Sequence, residues 1–575
     1  MASFGSLYIG VSGLNVSQAA LNVTAHNLAN VDTKGFVRQQ VVQTDFRYIK
    51  LGESHISSFM KGLGADFAEI KQVRDFFLDQ AYRQEIGRQA FYEAQYEALY
   101  EIEGLFGELE GESFQETMNN FWVALQELAK EPDNIVARSS LVETAVNFVE
   151  RAENISKQLK DYQINLNTKI RDQVDRINKI GDELRELNLK IRQYESAGEK
   201  ANDLRDQRNN LLDELSQMVS ITYKESSNSM VYVSIEGVTF VDEDNVYRMG
   251  TVKVNESTEM LKPVWLSHGN VDVFNLDKAV ASDKNTDIGS LKGLLVARGY
   301  KQANYTDIPV RENFNSDSLY EKAVLEYNNT IGASVIMNIQ AQFDQLIHGI
   351  TTTINDILCP NKEVTLADGT RIKILDEERA PVGADAGRTM GEALFNRKST
   401  PRYSEPEELV ILKEDGTTET IIARIYNEEN PEDNYSLFTL GEITVNPNIL
   451  HNYALIPLSS NMGTGDFDIE TAKKLLEAWQ KPFATLSPNY LTKNNFSDYY
   501  NSFISELANL GEQYRTISSN QASMVESIDN KRMEITAVSS DEELTNLIKY
   551  QHAYNASARY INVISEMLKD IIEKL

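Results

Sequence analysis

The chain has 575 residues, and its 56 Lys and Arg against 86 Asp and Glu leave a formal net charge of −30. That balance excludes nucleic acid or an anionic membrane surface as the main partner, since both require clustered cations to neutralise phosphate. The single cysteine, Cys359, excludes an intramolecular disulfide framework, no apolar run is long enough to cross a membrane, and the length calls for several domains.

The first thirty residues read as an amphipathic helix carrying Leu7, Leu14, Leu21 and Leu28 seven apart, with Val11 and Ala25 between them. Gly5, Gly10 and Gly13 weaken it, each by up to about 1 kcal/mol against Ala. The opening residues lack a basic segment, an apolar segment and a small-residue cleavage site, so no cleaved secretory signal is expected. Asp32, Thr33, Lys34 and Gly35 form a turn signal, and extended structure follows through Phe36, Arg38, Val41 and Val42, then Gly62-Leu63-Gly64.

Helix returns from about Phe76, is broken from Gly107 to Gly111, and continues through Phe114, Met118, Phe121, Leu125 and Leu128 to a stop at Pro132. From Ala152 to Tyr194 apolar residues recur at spacings of three and four, predicting a rod-like helix despite Gly181. Ser196-Ala197-Gly198 turns the chain into an antiparallel return helix with Leu204, Leu211, Leu215 and Met218. Short strands are expected from Tyr223 to about Phe274, and one helix from Ser318 to Leu358. A second β-rich section follows, with hairpins around Asp368-Gly369 and Asp415-Gly416.

From Asp468 the chain reads as helix to its end. Between Glu512 and Leu575 there is no Gly or Pro, so an uninterrupted helix is expected. Leu547, Tyr554, Ile561, Leu568 and Leu575 recur at intervals of seven, with Gln551, Ala558, Ser565 and Ile572 as the companion row; Ser540 and Glu543 have the spacing of a capping box. The fold class is therefore α+β and multidomain. An elongated helical core formed by both termini and long helical hairpins carries inserted β-rich domains. The expected divisions are 1–75, a terminal helix with an extended segment; 76–220, a helical hairpin; 221–317, β-rich; 318–359, a helix returning to the core; 360–460, a β-rich insert; and 461–575, the C-terminal helical region.

Two blocks carry a resemblance. Asn27-Leu28-Ala29-Asn30, Asp32-Thr33, Gly35-Phe36 and Arg38 resemble the N-terminal signature of the rod, hook and hook-associated proteins of the bacterial flagellum. Asp541-Glu542-Glu543-Leu544, Asn546-Leu547, Tyr550-Gln551, Ala553-Tyr554, Ala556 to Arg559 and Glu566-Met567-Leu568 narrow it to the hook-associated proteins. Asp203 to Arg208 with Leu211-Leu212, and Gly289 to Leu295, are similar to internal segments of that family. The likeness spans roughly the first 300 and last 110 residues. It is absent from most of 360–460, where only Ile443 to Ile449 is weakly similar, and Ala65-Asp66 departs from the usual apolar residue.

The resemblance implies a structural subunit joining hook to filament, outside the cell, by helical packing of its ends. It also implies self-association, contact with the hook protein and a second junction protein, export through the flagellar type III apparatus without a cleaved signal, and a cytoplasmic chaperone on the C-terminal helix. Leu7, Leu14, Leu21, Leu28, Leu547, Tyr554, Ile561 and Leu568 are the expected assembly residues. Asn27, Asn30 and Gly35 would shape the turn beneath the first helix, with Gly35 in a conformation disfavoured for residues bearing a Cβ. Four leucines on a glycine-weakened helix barely offset its ordering cost, so both ends are expected to fray in a free subunit.

No catalytic, cofactor-binding or metal-binding residue is expected. His26, His55, His268, His348, His451 and His552 show no metal-ligand spacing. Cys359 lacks a neighbouring base pattern. Asp466, Asp468 and Glu470 alternate as in a calcium loop without its glycine or terminal glutamate, and Asp468 reads better as a helix cap. Two other readings are an exported hydrolase with paired carboxylates in 360–460 and a coiled-coil adhesin.

Overall fold

The computed structural model describes residues 2–53, 58–107, 113–256, 258–276, 280–413, 417–460 and 468–574. Helix α1 (Ala2–Ala29) leads through the Asn30–Arg38 turn into β1 (Gln39–Asp45), β2 (Tyr48–Glu53), β3 (Ser58–Gly62) and β4 (Ala65–Gln72). β2 and β3 form an antiparallel hairpin, and β1 pairs with β4 beneath α1. The 108–111 part of the expected break and the Asp415-Gly416 turn, like His55, Asp466 and Leu575, lie outside the described residues.

The body begins with α2 (Phe76–Phe106), started by Asp75, whose carboxylate accepts the Phe77 and Leu78 N–H groups. α3 (Phe114–Lys130) ends just before Pro132. The rod-like helix α4 (Ile135–Glu195) is 61 residues long and starts earlier than the apolar repeat alone suggests, because Asn134 caps it directly after the proline turn. α5 (Asn202–Met218) returns along it. Gly181 inside α4 has a packing reason: a Cβ there would lie 2.6 Å from the Phe240 ring.

Antiparallel strands follow: β5 (Ile221–Glu225), β6 (Val231–Ile235) and β7 (Val238–Val241) in one sheet, then β8 (Met249–Lys253), β9 (Leu261–Trp265) and β10 (Val271–Asp272) in another. α6 (Ser290–Arg298) re-enters the helical body. The single helix expected over Ser318–Leu358 is two, α7 (Asp317–Asn329) and α8 (Val335–Leu358), because the chain turns at Ile331-Gly332 and Ser334 caps the second.

In the second β section, β11 (Asn361–Leu366) and β12 (Arg371–Leu375) form the first hairpin. After β13 (Phe395–Arg397) come the strands of the second, β14 (Glu407–Leu412) and β15 (Thr418–Ala423). The order β12-β11-β14-β15 almost closes on itself, since Ile374 bridges to Ile425 just beyond β15. β16 (Ile443–Val445) pairs with β13, and α9 (Pro447–His451) follows.

Asp468 caps α10 (Ile469–Gln480), accepting the Thr471 N–H at 3.0 Å. α11 (Phe496–Thr536) then runs beside α2, and α12 (Ser540–Lys574) completes the chain. The expected uninterrupted helix is thus broken at Ala537–Ser539 although no breaker residue is present. Thr536 is buried there and its carbonyl accepts the Arg38 N–H at 2.8 Å, so tertiary contacts override local propensity. The centre of the body is aromatic: Phe343 lies edge-on to Phe106 and Phe114 at 5.3 and 5.0 Å and stacks on Phe503.

Candidate assembly interface

The two ends of the chain pack against each other in antiparallel fashion. Gly10 faces Ile561, Gly13 faces Ser557, and Asn27 reaches Glu543. This register places Ser17 opposite Tyr554, Ala20 opposite Tyr550 and Thr24 opposite Leu547. The seam on α1 is consequently Gly10, Gly13, Ser17, Ala20, Thr24 and Asn27, a heptad of small residues receiving the bulky row of α12. A Cβ at Gly10 would lie 2.7 Å from Ile561 Cγ1, so the glycines that weaken α1 locally are what let the helices approach.

Leu547, Tyr554, Ile561 and Leu568 do line the inner side of α12, each half-buried. Their companions are Tyr550, Ser557 and Ile564 rather than the expected row, of which Gln551, Ser565 and Ile572 are exposed. Leu7, Leu14, Leu21 and Leu28 flank the small-residue seam, half-buried, while Val11 and Ala25 are exposed. The outer side of α12 carries Leu544, Ile548, Tyr560, Val563, Met567 and Ile571 exposed, with Tyr8 exposed on α1. The helix pair is thus apolar on its outside as well as in its seam.

Below the seam, polar residues fasten the pair to the body. The Asn27 carboxamide makes reciprocal bonds with Gln39, donating to its carbonyl at 2.9 Å and accepting its N–H at 3.0 Å, and also donates to Glu543 Oε2 at 3.1 Å. Arg38 Nε donates to Glu543 Oε1 at 3.0 Å, and the same guanidinium pairs with Glu542 at 2.9 Å. Glu543 is only 2% exposed. It is not a capping-box residue: Ser539 caps α12 instead, accepting the Glu542 N–H. Asn30 closes the end of α1, donating to the His26 carbonyl at 3.0 Å and accepting the Thr33 hydroxyl at 3.1 Å. Gly35 has φ +78°, and a Cβ there would collide with the Asn210 side chain.

The N-terminal turn is held in turn by α5. Asp203 accepts from Gln39 Nε2 at 2.8 Å and lies 3.2 Å from the His26 ring, while Asp206 accepts the Val37 N–H at 3.1 Å and Gln72 Nε2 at 2.6 Å. Burial pushes the Asp206 carboxyl up to about 7, against the opposing pull of the Val37 N–H and Arg74. At the foot of α11, Arg532 pairs with Asp213 at 2.9 Å and lies over the Tyr82 ring, and Asp213 also accepts from Arg83 at 2.6 Å.

Residues 99–366 match the family model described as flagellar hook-associated protein FlgK helical domain. Residues 529–574 match that for flagellar basal body rod FlgEFG protein C-terminal, and residues 7–36 that for flagella basal body rod protein. The chain is 25% identical over 581 residues to flagellar hook-associated protein 1 of Bacillus subtilis, covering 99% of this chain and 98% of that protein. It is 22% identical over 595 residues to the protein of the same name from Escherichia coli, covering 98% of both. A solved structure, the flagellar hook junction protein FlgK from Burkholderia pseudomallei, shares the fold with a TM-score of 0.50 at 12% identity, covering 80% of this chain and all of that one.

The chain belongs to the flagellar hook-associated proteins. As a hook-associated protein it is a structural component of the flagellum, and the segments that carried the resemblance meet in space. Asn27 and Arg38 of the first block close on Glu543 of the last, with Asp203 and Asp206 of the internal segment beneath them. Glu543 was read from its spacing as half of a capping box, and Asp203 and Asp206 were not singled out by sequence pattern, so none of the three was assigned the contacts it makes. Only their place inside the matching blocks marked them for that role, because an acidic residue at helix spacing looks the same whether it caps a turn or pairs across 500 residues. In the 360–460 section Glu429 is committed to structure: it accepts Tyr305 Oη at 2.8 Å and the Phe438 N–H at 2.6 Å and lies 3.0 Å from His348.

Proposed function

We propose that this chain joins hook to filament, with α1 and α12 packing among copies of itself and against the hook protein and a second junction protein, while the body projects outward. The observation that carries this reading is the doubly apolar terminal pair. Its small-on-large seam brings the two ends together, and the outer row of Leu544, Ile548, Tyr560, Val563, Met567 and Ile571 remains uncovered in a single copy. Leu7, Leu14, Leu21 and Leu28 border the seam and would complete contacts between neighbouring pairs, with Leu547, Tyr554, Ile561 and Leu568 holding each pair together. An uncovered row of this kind invites premature association, which supports a chaperone on α12 before export through the flagellar type III route. The role is architectural and no catalytic group is assigned. The hydrolase and adhesin readings have no observation in their favour.

A strain whose only copy carries Val563→Glu with Met567→Glu tests it. Val563 and Met567 are 48% and 56% exposed, so the free subunit keeps its fold. Filament attachment and swimming are expected to be lost while the subunit is still exported. Normal filaments would overturn the reading.

A further inference from the structure

The apolar part of the α1/α12 seam does not specify its own alignment. Slide α12 by one heptad, about 10 Å, and Gly10 meets Leu568, Gly13 meets Ile564, Ser17 meets Ile561 and Thr24 meets Tyr554. Small residues again receive large ones, and no apolar contact is of the wrong kind. The three-residue connection Ala537–Ser539 does not forbid the slide, because the first residues of α12 can loop out, and between two copies there is no connection at all.

What the slide destroys is polar. Asn27, 1% exposed, would face Tyr550 instead of Glu543, and Arg38 would lose its Nε partner. A slide the other way would press Glu543 against Ala20 without a hydrogen-bonding group. We infer that Glu543 is the register-setting residue of the terminal pair, a buried carboxylate that accepts from Asn27 and Arg38 in only one of the alignments the heptads permit. Single buried polar residues fix register in coiled coils for the same reason: the misaligned state leaves them unpaired. Pairing within a free chain does not depend on the flagellar reading, whereas a consequence for packing among copies rests on it.

Disulfide trapping in the purified full-length protein reads the register directly. A Cβ at Gly13 lies 3.7 Å from Ser557 Cβ, within the span of a disulfide. The native Cys359 is buried and does not interfere. Under mild oxidation Gly13→Cys with Ser557→Cys is expected to link within one chain, and Gly13→Cys with Ile564→Cys, which reports a one-heptad slide, is expected to link little. Adding Glu543→Leu should lower the first product about tenfold, as for loss of a charge-assisted hydrogen-bonded pair, and raise the second, with Glu543→Gln intermediate because its carbonyl still accepts from Asn27. An unchanged 13–557 yield in Glu543→Leu overturns the assignment. So does loss of both products with far-UV circular dichroism of the body intact, since Glu543 would then hold the helices together without setting their alignment. Failure of the motility test alone would leave this result standing.

Discussion

The body and the terminal pair are both helical, yet they bury their side chains differently. Around Phe343 the rings of Phe106, Phe114 and Phe503 are essentially inaccessible, and the packing is complete within one chain. Along α12 the inward residues are half-buried and the outward ones are apolar and exposed. The first region is finished by folding; the second keeps an apolar side open, which the proposed assembly would cover. On the proposed function, the contrast would let a subunit fold on its own and still present ends for assembly.

The largest effect should separate the two regions most clearly. Phe343→Ala removes a fully buried ring and is expected to cost about 3–5 kcal/mol, lowering the main calorimetric transition. Ile561→Ala should cost about 1–2 kcal/mol, given partial burial, and leave that transition in place. An equal drop from both would mean that the ends fold as part of the body. Next, limited proteolysis of the free subunit should cut within α1 and α12 first and leave a resistant fragment near residues 76–536; ends as resistant as α2 would remove the distinction.

The smallest effect lies where the regions join. Asp206 has its folded-state value raised from 3.8 to about 7. Its contribution to stability is therefore full below the unfolded value and is lost as pH rises through about 7. Denaturant midpoints should fall between about pH 4 and pH 7 with a component that Asp206→Asn abolishes, and an unchanged slope in that variant would assign the dependence elsewhere.

The row Leu547, Tyr554, Ile561, Leu568 was legible because large apolar residues at sevenfold spacing leave a hydrophobic signal. Its mate was not, because Gly10, Gly13, Ser17, Ala20 and Thr24 bury through smallness, and the leucines one position away drew attention to the flank. The conformation of Gly35 followed from the turn composition around it. The break at Ala537–Ser539 carried no signal, since it is imposed by Arg38 and Thr536 from outside the helix. Both hairpins of the 360–460 section were read from their Asp-Gly turns, and the strands flanking them pair as expected, whereas the near-closure through Ile374 and Ile425 required distant residues to meet.

The closeness of α1 to α12 has a geometrical outcome. With a Cβ at Gly10 only 2.7 Å from Ile561, one methyl group there would force the two axes apart. In a closed ring of identical pairs that increment would be repeated at every position around the circumference. The calibre of such a tube would then depend on two missing side chains, and a change too small to unfold one subunit would be enough to mismatch the diameter of whatever stood above or below it.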